Sequence, residues 1–390
     1  MNTSFAIQIE DDVLDDLQQR LQLTRWPDAI HNSGWDYGTE PGYMKDLCNY
    51  WQNEFDWRRR EKYLNSFNHY LTEVNGTRLH YIHELGSGRV SIPLLLTHGY
   101  PDSFTRFLKI IPLLTQSDEN GFSFDVIVPS LPGFGFSDKP REKGMNPEMI
   151  ADLFATLMTR KLGYKQFAAH GGDWGSSVTE HLALNHPNLL SGIHLTDMPY
   201  KHILTAPSGT LSEAEKKYLE SGKRWQVTEG GYAMVQASKP QTLAYAMNDS
   251  PIGLAAWIIE KFHNWSDCRG DIETRFTKDE LLTDIMIYWV TQTAGSAFRI
   301  YYESMHMPPA NVRIRPMTPT GIAIFPKDIT TAPPDFAERM FNVKRFTQMP
   351  EGGHFAAMET PMLLANDMRE FFSSLDAVKD TGRTVKFSGG

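Results

Sequence analysis

The chain has 390 residues, of which 41% are hydrophobic, 22% charged and 12% aromatic, and its net charge is −9. That length suits one large α/β core with additions. The acid excess, with no basic run longer than "RRR" at 58–60, argues against a nucleic-acid partner.

Cys48 and Cys268 are the only cysteines, far apart and without histidines at ligand spacing. Neither a disulfide framework nor a zinc site is expected, and a reducing compartment fits. The acidic start "MNTSFAIQIEDDVLDDLQQRL" has no apolar core of a signal peptide. Apolar runs such as "SIPLLL" fall far short of the roughly 20 residues of a membrane span. The expectation is a soluble, cytoplasmic protein without a membrane anchor.

In chain order, residues 1–75 are dense in Trp and charge, and Val13, Leu14, Leu17 and Leu21 recur at helical spacing. "HYLTEVNGTRLHYIHE" then predicts a β-hairpin, because Asn-Gly between alternating runs favours the turn with two positive φ angles. "SIPLLLTHG", "FDVIVPSLPG", "KQFAAHGGD" and "SGIHLTD" are short apolar runs ending in small or polar residues, with helical patterns between them. This alternation predicts a mostly parallel sheet covered on both faces.

From 201 to 310 the pattern is helix and loop, including "KDELLTDIMIYWVTQTAGSAFRIYYES". The α/β pattern resumes over 311–378 with "TPTGIAIFP" and "VKRFTQMP", and a tail covers 379–390. The expected organisation is therefore an extension (1–75), a core in two halves (76–200 and 311–378) and a helical insertion between them. Such an insertion would cap the carboxyl ends of the strands, where open α/β sheets bind ligands.

"AAHGGDWGSS" at 168–177 has a strand–turn–helix context and G-x-D-x-G spacing through Gly171, Asp173 and Gly175. The glycines permit a sharp turn that projects the central side chain above the sheet. By itself an Asp there is a common helix N-cap. His354, in "MPEGGHFAAMETP", and Asp328, in "GIAIFPKDIT", each follow a strand and complete the order nucleophile, acid, histidine. "LLLTHGYPDSF" adds a loop whose backbone N–H groups can face the nucleophile.

"HGYP", "PSLPGFGFSDKP", "GGDWG", "FPKD" and "GGHFAAMETP" together resemble the epoxide hydrolases of the α/β-hydrolase fold. The resemblance is closest to the microsomal-type branch and its soluble microbial relatives, and it spans about residues 5–375. "LDDLQQRLQLTRWPD" and "WQNEFDWRRREKYLNSFNHY" resemble that branch's N-terminal extension, which wraps core and lid. "GYAMVQASKPQTLAYAMNDSPIGLAAWIIEKF" resembles its lid.

The resemblance implies Asp173 as nucleophile, His354 as base and Asp328 as the acid that orients it. It implies backbone donors at Tyr100 and Trp174, and two lid tyrosines, Tyr232 and Tyr301, with Tyr302 the alternative to Tyr301. It further implies a small apolar epoxide and water as partners, no metal or organic cofactor, and a role in detoxification or aromatic hydrocarbon catabolism. A homodimer through the lid is left open.

A carboxylate suits attack on an sp³ carbon, because it is ionised at neutral pH and gives an ester that water can cleave. A serine would leave an inert ether. A haloalkane dehalogenase, which also uses an Asp followed by Trp, is the nearest rival reading, and a noncatalytic ligand-binding member of the fold is another. A serine esterase is disfavoured, since no G-x-S-x-G stands in a strand–turn–helix context.

Overall fold

The computed structural model describes residues 2–205, 209–306, 315–375 and 383–384. These form a ten-stranded sheet in the order β1-β2-β3-β5-β4-β6-β7-β8-β9, with β10 on β4. The strands are β1 (Thr3–Phe5), β2 (His69–Val74), β3 (Thr77–Glu84), β4 (Val90–Thr97), β5 (Phe122–Pro129), β6 (Phe167–Gly171), β7 (Leu190–Leu195), β8 (Pro319–Ile324), β9 (Asn342–Gln348) and β10 (Arg383–Thr384). From β5 to β9 every path neighbour is parallel, while β1, β2 and β3 add on as antiparallel strands. Apart from 383–384, the tail at 379–390 lies outside the described residues, as do 311–314 and 376–378 of the second core segment.

The predicted hairpin forms between β2 and β3, with Asn75 at φ 49° and Gly76 at φ 81°. Every residue of β5, β6 and β7 is buried, the pattern of strands covered on both faces. The covering helices include α4 (Ile111–Thr115), α5 (Pro147–Thr156), α6 (Trp174–Asn185) and, beyond β8, α14 (Pro334–Met340), α15 (Ala356–Glu359) and α16 (Pro361–Ser374). Within this layer α5 packs on α6 and α16 on α4.

Between β7 and β8 the regular elements among the described residues are helices: α7 (Lys201–Leu204), α8 (Glu213–Thr228), α9 (Gly231–Ser238), α10 (Pro240–Asp249), α11 (Pro251–Asn264), α12 (Lys278–Thr291) and α13 (Ala294–His306). The stretch 278–304, read as part of a helix-and-loop region, holds two helices, α12 and α13. Gln292 adopts the left-handed conformation at φ 52° and ends α12, and its N–H closes the turn on Trp289.

Before the hairpin come α1 (Asp11–Gln22), α2 (Pro41–Asn53) and α3 (Trp57–Leu64). Leu17 and Leu21 of α1 are buried, as their spacing requires. This segment is fastened to both parts of the molecule. β1 pairs with β2 of the core, while Trp35 stacks on His263 of α11 at 3.8 Å. The arginine run is a salt-bridged face: Arg58 pairs with Asp11 and Glu61, Arg59 with Asp279 of α12, and Arg60 donates to Thr283.

Candidate active site

Sheet register explains why distant residues meet. Thr97 at the end of β4 pairs with Gly171 at the end of β6, which pairs with Leu195 at the end of β7. The three following loops therefore leave the same edge side by side, carrying Tyr100, Asp173 and Asp197. A bridge between Lys327 and Gly353 brings the loops after β8 and β9 together, and with them Asp328 and His354.

Asp173 turns the chain from β6 into α6 with φ 58° and ψ −127°, a conformation that side-chain-bearing residues rarely adopt. The turn needs its glycines. A Cβ on Gly175 would fall 2.0 Å from the Thr97 carbonyl oxygen, and one on Gly99 would fall 2.2 Å from Asp173 Oδ1. Asp173 makes no N-cap hydrogen bond, so its carboxylate is free for other work.

That carboxylate is held from two sides. The Tyr100 N–H donates to Oδ1 at 2.8 Å, and His354 Nε2 lies 3.3 Å from Oδ2. His354 Nδ1 is 2.7 Å from Asp328 Oδ1. A carboxylate can only accept here, so a proton sits on Nδ1 and Nε2 faces the Asp173 carboxylate. His354 is buried, and burial opposes its charge, yet Asp328 and Asp173 together raise its pKa to about 10. The resting pair is accordingly an Asp173 carboxylate beside a His354 imidazolium.

Both expected phenols lie over this pair. Tyr232 of α9 and Tyr301 of α13 have ring centroids 5.8 Å apart, and each packs against Tyr100. Tyr301 also meets the Trp174 ring edge-on at 4.7 Å. Burial, with Asp173 nearby, pushes both phenols well above the usual tyrosine value, so they stay protonated. Tyr302, in contrast, is half-buried and stacks on His306 at 4.0 Å. The Trp174 N–H opens α6 without a hydrogen bond, so of the two expected backbone donors only Tyr100 touches the carboxylate.

The structure adds residues that the sequence did not single out. Asp197 Oδ2 accepts from the Asp173 N–H at 2.8 Å and so braces the strained turn. Burial first, then the neighbouring Asp328 charge, raises the Asp197 pKa well above the carboxylate range. Trp265 packs against His354 and Tyr232, and its carbonyl takes the His354 N–H at 2.8 Å. A cavity of about 510 Å³ is bordered by Trp35, Trp225, Trp265 and Asp328, and so reaches the Asp328 carboxylate from the side of the helical insertion. Only a signal of spacing could have found these residues, and Asp197, the polar end of the run "SGIHLTD" and two positions beyond β7, offered that much.

Asp197, Asp328 and His354 present ligand atoms within 4.8 Å of one another, a spacing that could hold a cation. Asp328 already accepts the hydrogen bond from His354 Nδ1–H and Asp197 the one from the Asp173 N–H, so the cluster reads as a hydrogen-bonded network. Among the described residues both cysteines are buried and free, and no helix is long and apolar enough to cross a membrane.

A parallel sheet with an acid elbow after one strand, a histidine after the last and a helical block over the strand ends defines the α/β-hydrolase fold. The family model of that fold matches residues 92–251, and one described as the epoxide hydrolase N terminus matches residues 2–107. A protein of Stigmatella aurantiaca is 42% identical over 380 residues, 96% of this chain and 86% of that one. Epoxide hydrolase 1 of Sus scrofa is 38% identical over 403 residues, 95% of this chain and 88% of that one. The crystal structure of juvenile hormone epoxide hydrolase from the silkworm Bombyx mori superposes with a TM-score of 0.85 at 30% identity, covering 97% of this chain and 95% of that one. The chain belongs to the epoxide hydrolase family. This membership sets aside the dehalogenase and noncatalytic readings.

Proposed function

We propose that the chain converts a small apolar epoxide and water to a vicinal diol through an alkyl ester on Asp173. The observation that carries the reading is one carboxylate held between a backbone N–H and an imidazole, with two protonated phenols packed above it. Asp173 Oδ2 attacks a ring carbon, the carbon–oxygen bond of the ring breaks, and Tyr232 or Tyr301 protonates the leaving oxygen. The aromatic walls at Tyr100, Trp174, Phe298 and Trp265 suit an apolar substrate.

Alkylation removes the negative charge that had held the proton on His354. The imidazolium then returns a proton to the phenolate and becomes neutral, which makes it a base for the second step. Water attacks Cγ of the ester and gives a proton to Nε2, while the Tyr100 N–H stabilises the oxyanion on Oδ1. The free Trp174 N–H stands beside it as a second donor, each such donor being worth roughly 3–4 kcal/mol. Collapse breaks the Cγ–Oδ2 bond and frees the diol, with its last proton from the new carboxylic acid. The cycle ends on Asp173 carboxylate and protonated His354, the resting state.

The lid role of α7–α13, the wrapping role of residues 1–75 and a homodimer through the lid complete the proposal. An excess-enzyme reaction with styrene oxide, quenched and analysed by peptide mass spectrometry, tests it. A mass increase of one substrate on the Asp173 peptide supports it, and diol formation with no such species at any time refutes it.

A further inference from the structure

Arg106 is a buried cation that the two-step reaction leaves unused. It is 1% exposed and sits in the short turn at 104–107, just after the loop that carries Tyr100. Its Nη1 is paired with the Asp102 carboxylate, whose Oδ1 also accepts the Gly99 N–H at 2.9 Å. Its Nη2 donates to the carbonyl oxygen of His354 at 2.6 Å. The elbow lies against the same group: a Cβ on Gly172 would fall 2.9 Å from Nη2. One guanidinium thus touches the loops that carry the oxyanion donor, the nucleophile and the base.

We infer that Arg106 is a positioning residue that sets the His354 loop against the other two and acts chiefly on ester hydrolysis. The asymmetry follows from the other fastenings. Asp173 is fastened directly by Asp197 and by the Tyr100 N–H, whose loop Arg106 reaches only through Asp102, so the carboxylate can still attack when Arg106 is replaced. Hydrolysis instead needs Nε2 aimed at a water beside Cγ, and the main-chain carbonyl of His354 is anchored by Arg106. A lysine keeps the charge but cannot serve Asp102 and the His354 carbonyl with a rigid fork.

This inference rests on the two-step reading above, and its test separates the two. In Arg106→Lys, rapid-quench kinetics with styrene oxide should show ester formation slowed less than about tenfold. Ester breakdown should slow by ~10²-fold, the usual cost of a displaced catalytic group, so the ester accumulates. A purely structural ion pair would lower both rates by the same factor. Should R106K fail to fold, the double variant Asp102→Asn with Arg106→Met removes both buried charges, leaves none unpaired and keeps an acceptor for Gly99. The same unequal loss is expected there. Equal losses, or unchanged ester breakdown in a folded variant, overturn the inference. Absence of any ester in the wild-type chain overturns the two-step reading, and this inference with it.

Discussion

Replacing Tyr301 by Phe tests one of the two proposed proton donors with little else changed. The ring stays buried against Trp174, Tyr100 and Tyr232, at centroid distances of 4.7, 5.6 and 5.8 Å, so the packing survives. Only the hydroxyl is lost, which should alter stability by no more than about 1 kcal/mol. A positioned acid contributes typically 10²–10⁴-fold, and here two phenols share the task. Each single loss should then slow alkylation roughly 10–100-fold, or about 1.4–2.7 kcal/mol of barrier, and loss of both should reach ~10²–10⁴-fold. Stopped-flow tryptophan fluorescence with excess enzyme and styrene oxide reads this step, since Trp174 lies against Tyr301. Tyr302→Phe is the control, because that ring stacks on His306 away from the nucleophile, and it should alkylate at the parent rate. Alkylation by Tyr301→Phe within twofold of the parent, or a larger loss in Tyr302→Phe, would refute the assignment.

Three further outcomes follow from the geometry. Asp173→Asn mimics the neutral ester, so the His354 ring should titrate below the value of about 10 that it has beside the carboxylate, as read by histidine NMR against a His354→Gln spectrum. Ester breakdown should likewise rise with pH through a midpoint below about 10, and an unshifted His354 in the Asn variant would contradict this. Gly99→Ala places a Cβ 2.2 Å from Asp173 Oδ1 and must push the oxyanion loop away, so ester formation should fall by ~10²-fold while circular dichroism stays native. A variant with parent activity would show that the loop has room to yield.

Much of the core was legible because burial on both faces leaves β5, β6 and β7 as short apolar runs, each ending where a loop must turn polar. The elbow was legible because its glycines are dictated by backbone contacts under 3 Å. β1 was not, since three residues carry too little alternation and its pairing with β2 is set by tertiary contact. The exact place of the turn at Gln292 carries no such signal either, because glutamine has no intrinsic mark of a left-handed conformation. Tyr301 over Tyr302 could have been read from helical spacing, as Tyr301 shares a face with Ala297 and Phe298, both fully buried. Arg106 and Asp102 carried only an i,i+4 charge pair, indistinguishable in sequence from a solvent-exposed one.

The covalent ester on Asp173 is the claim on which the rest depends, and a single turnover in ¹⁸O water measures it directly. The enzyme in excess is reacted once with styrene oxide, digested and analysed by mass spectrometry. Because water attacks the ester carbonyl carbon and Oδ2 leaves with the diol, the account expects label in the peptide bearing Asp173 and an unlabelled diol. Label confined to the diol would mean that water attacked the epoxide directly, and would contradict the account.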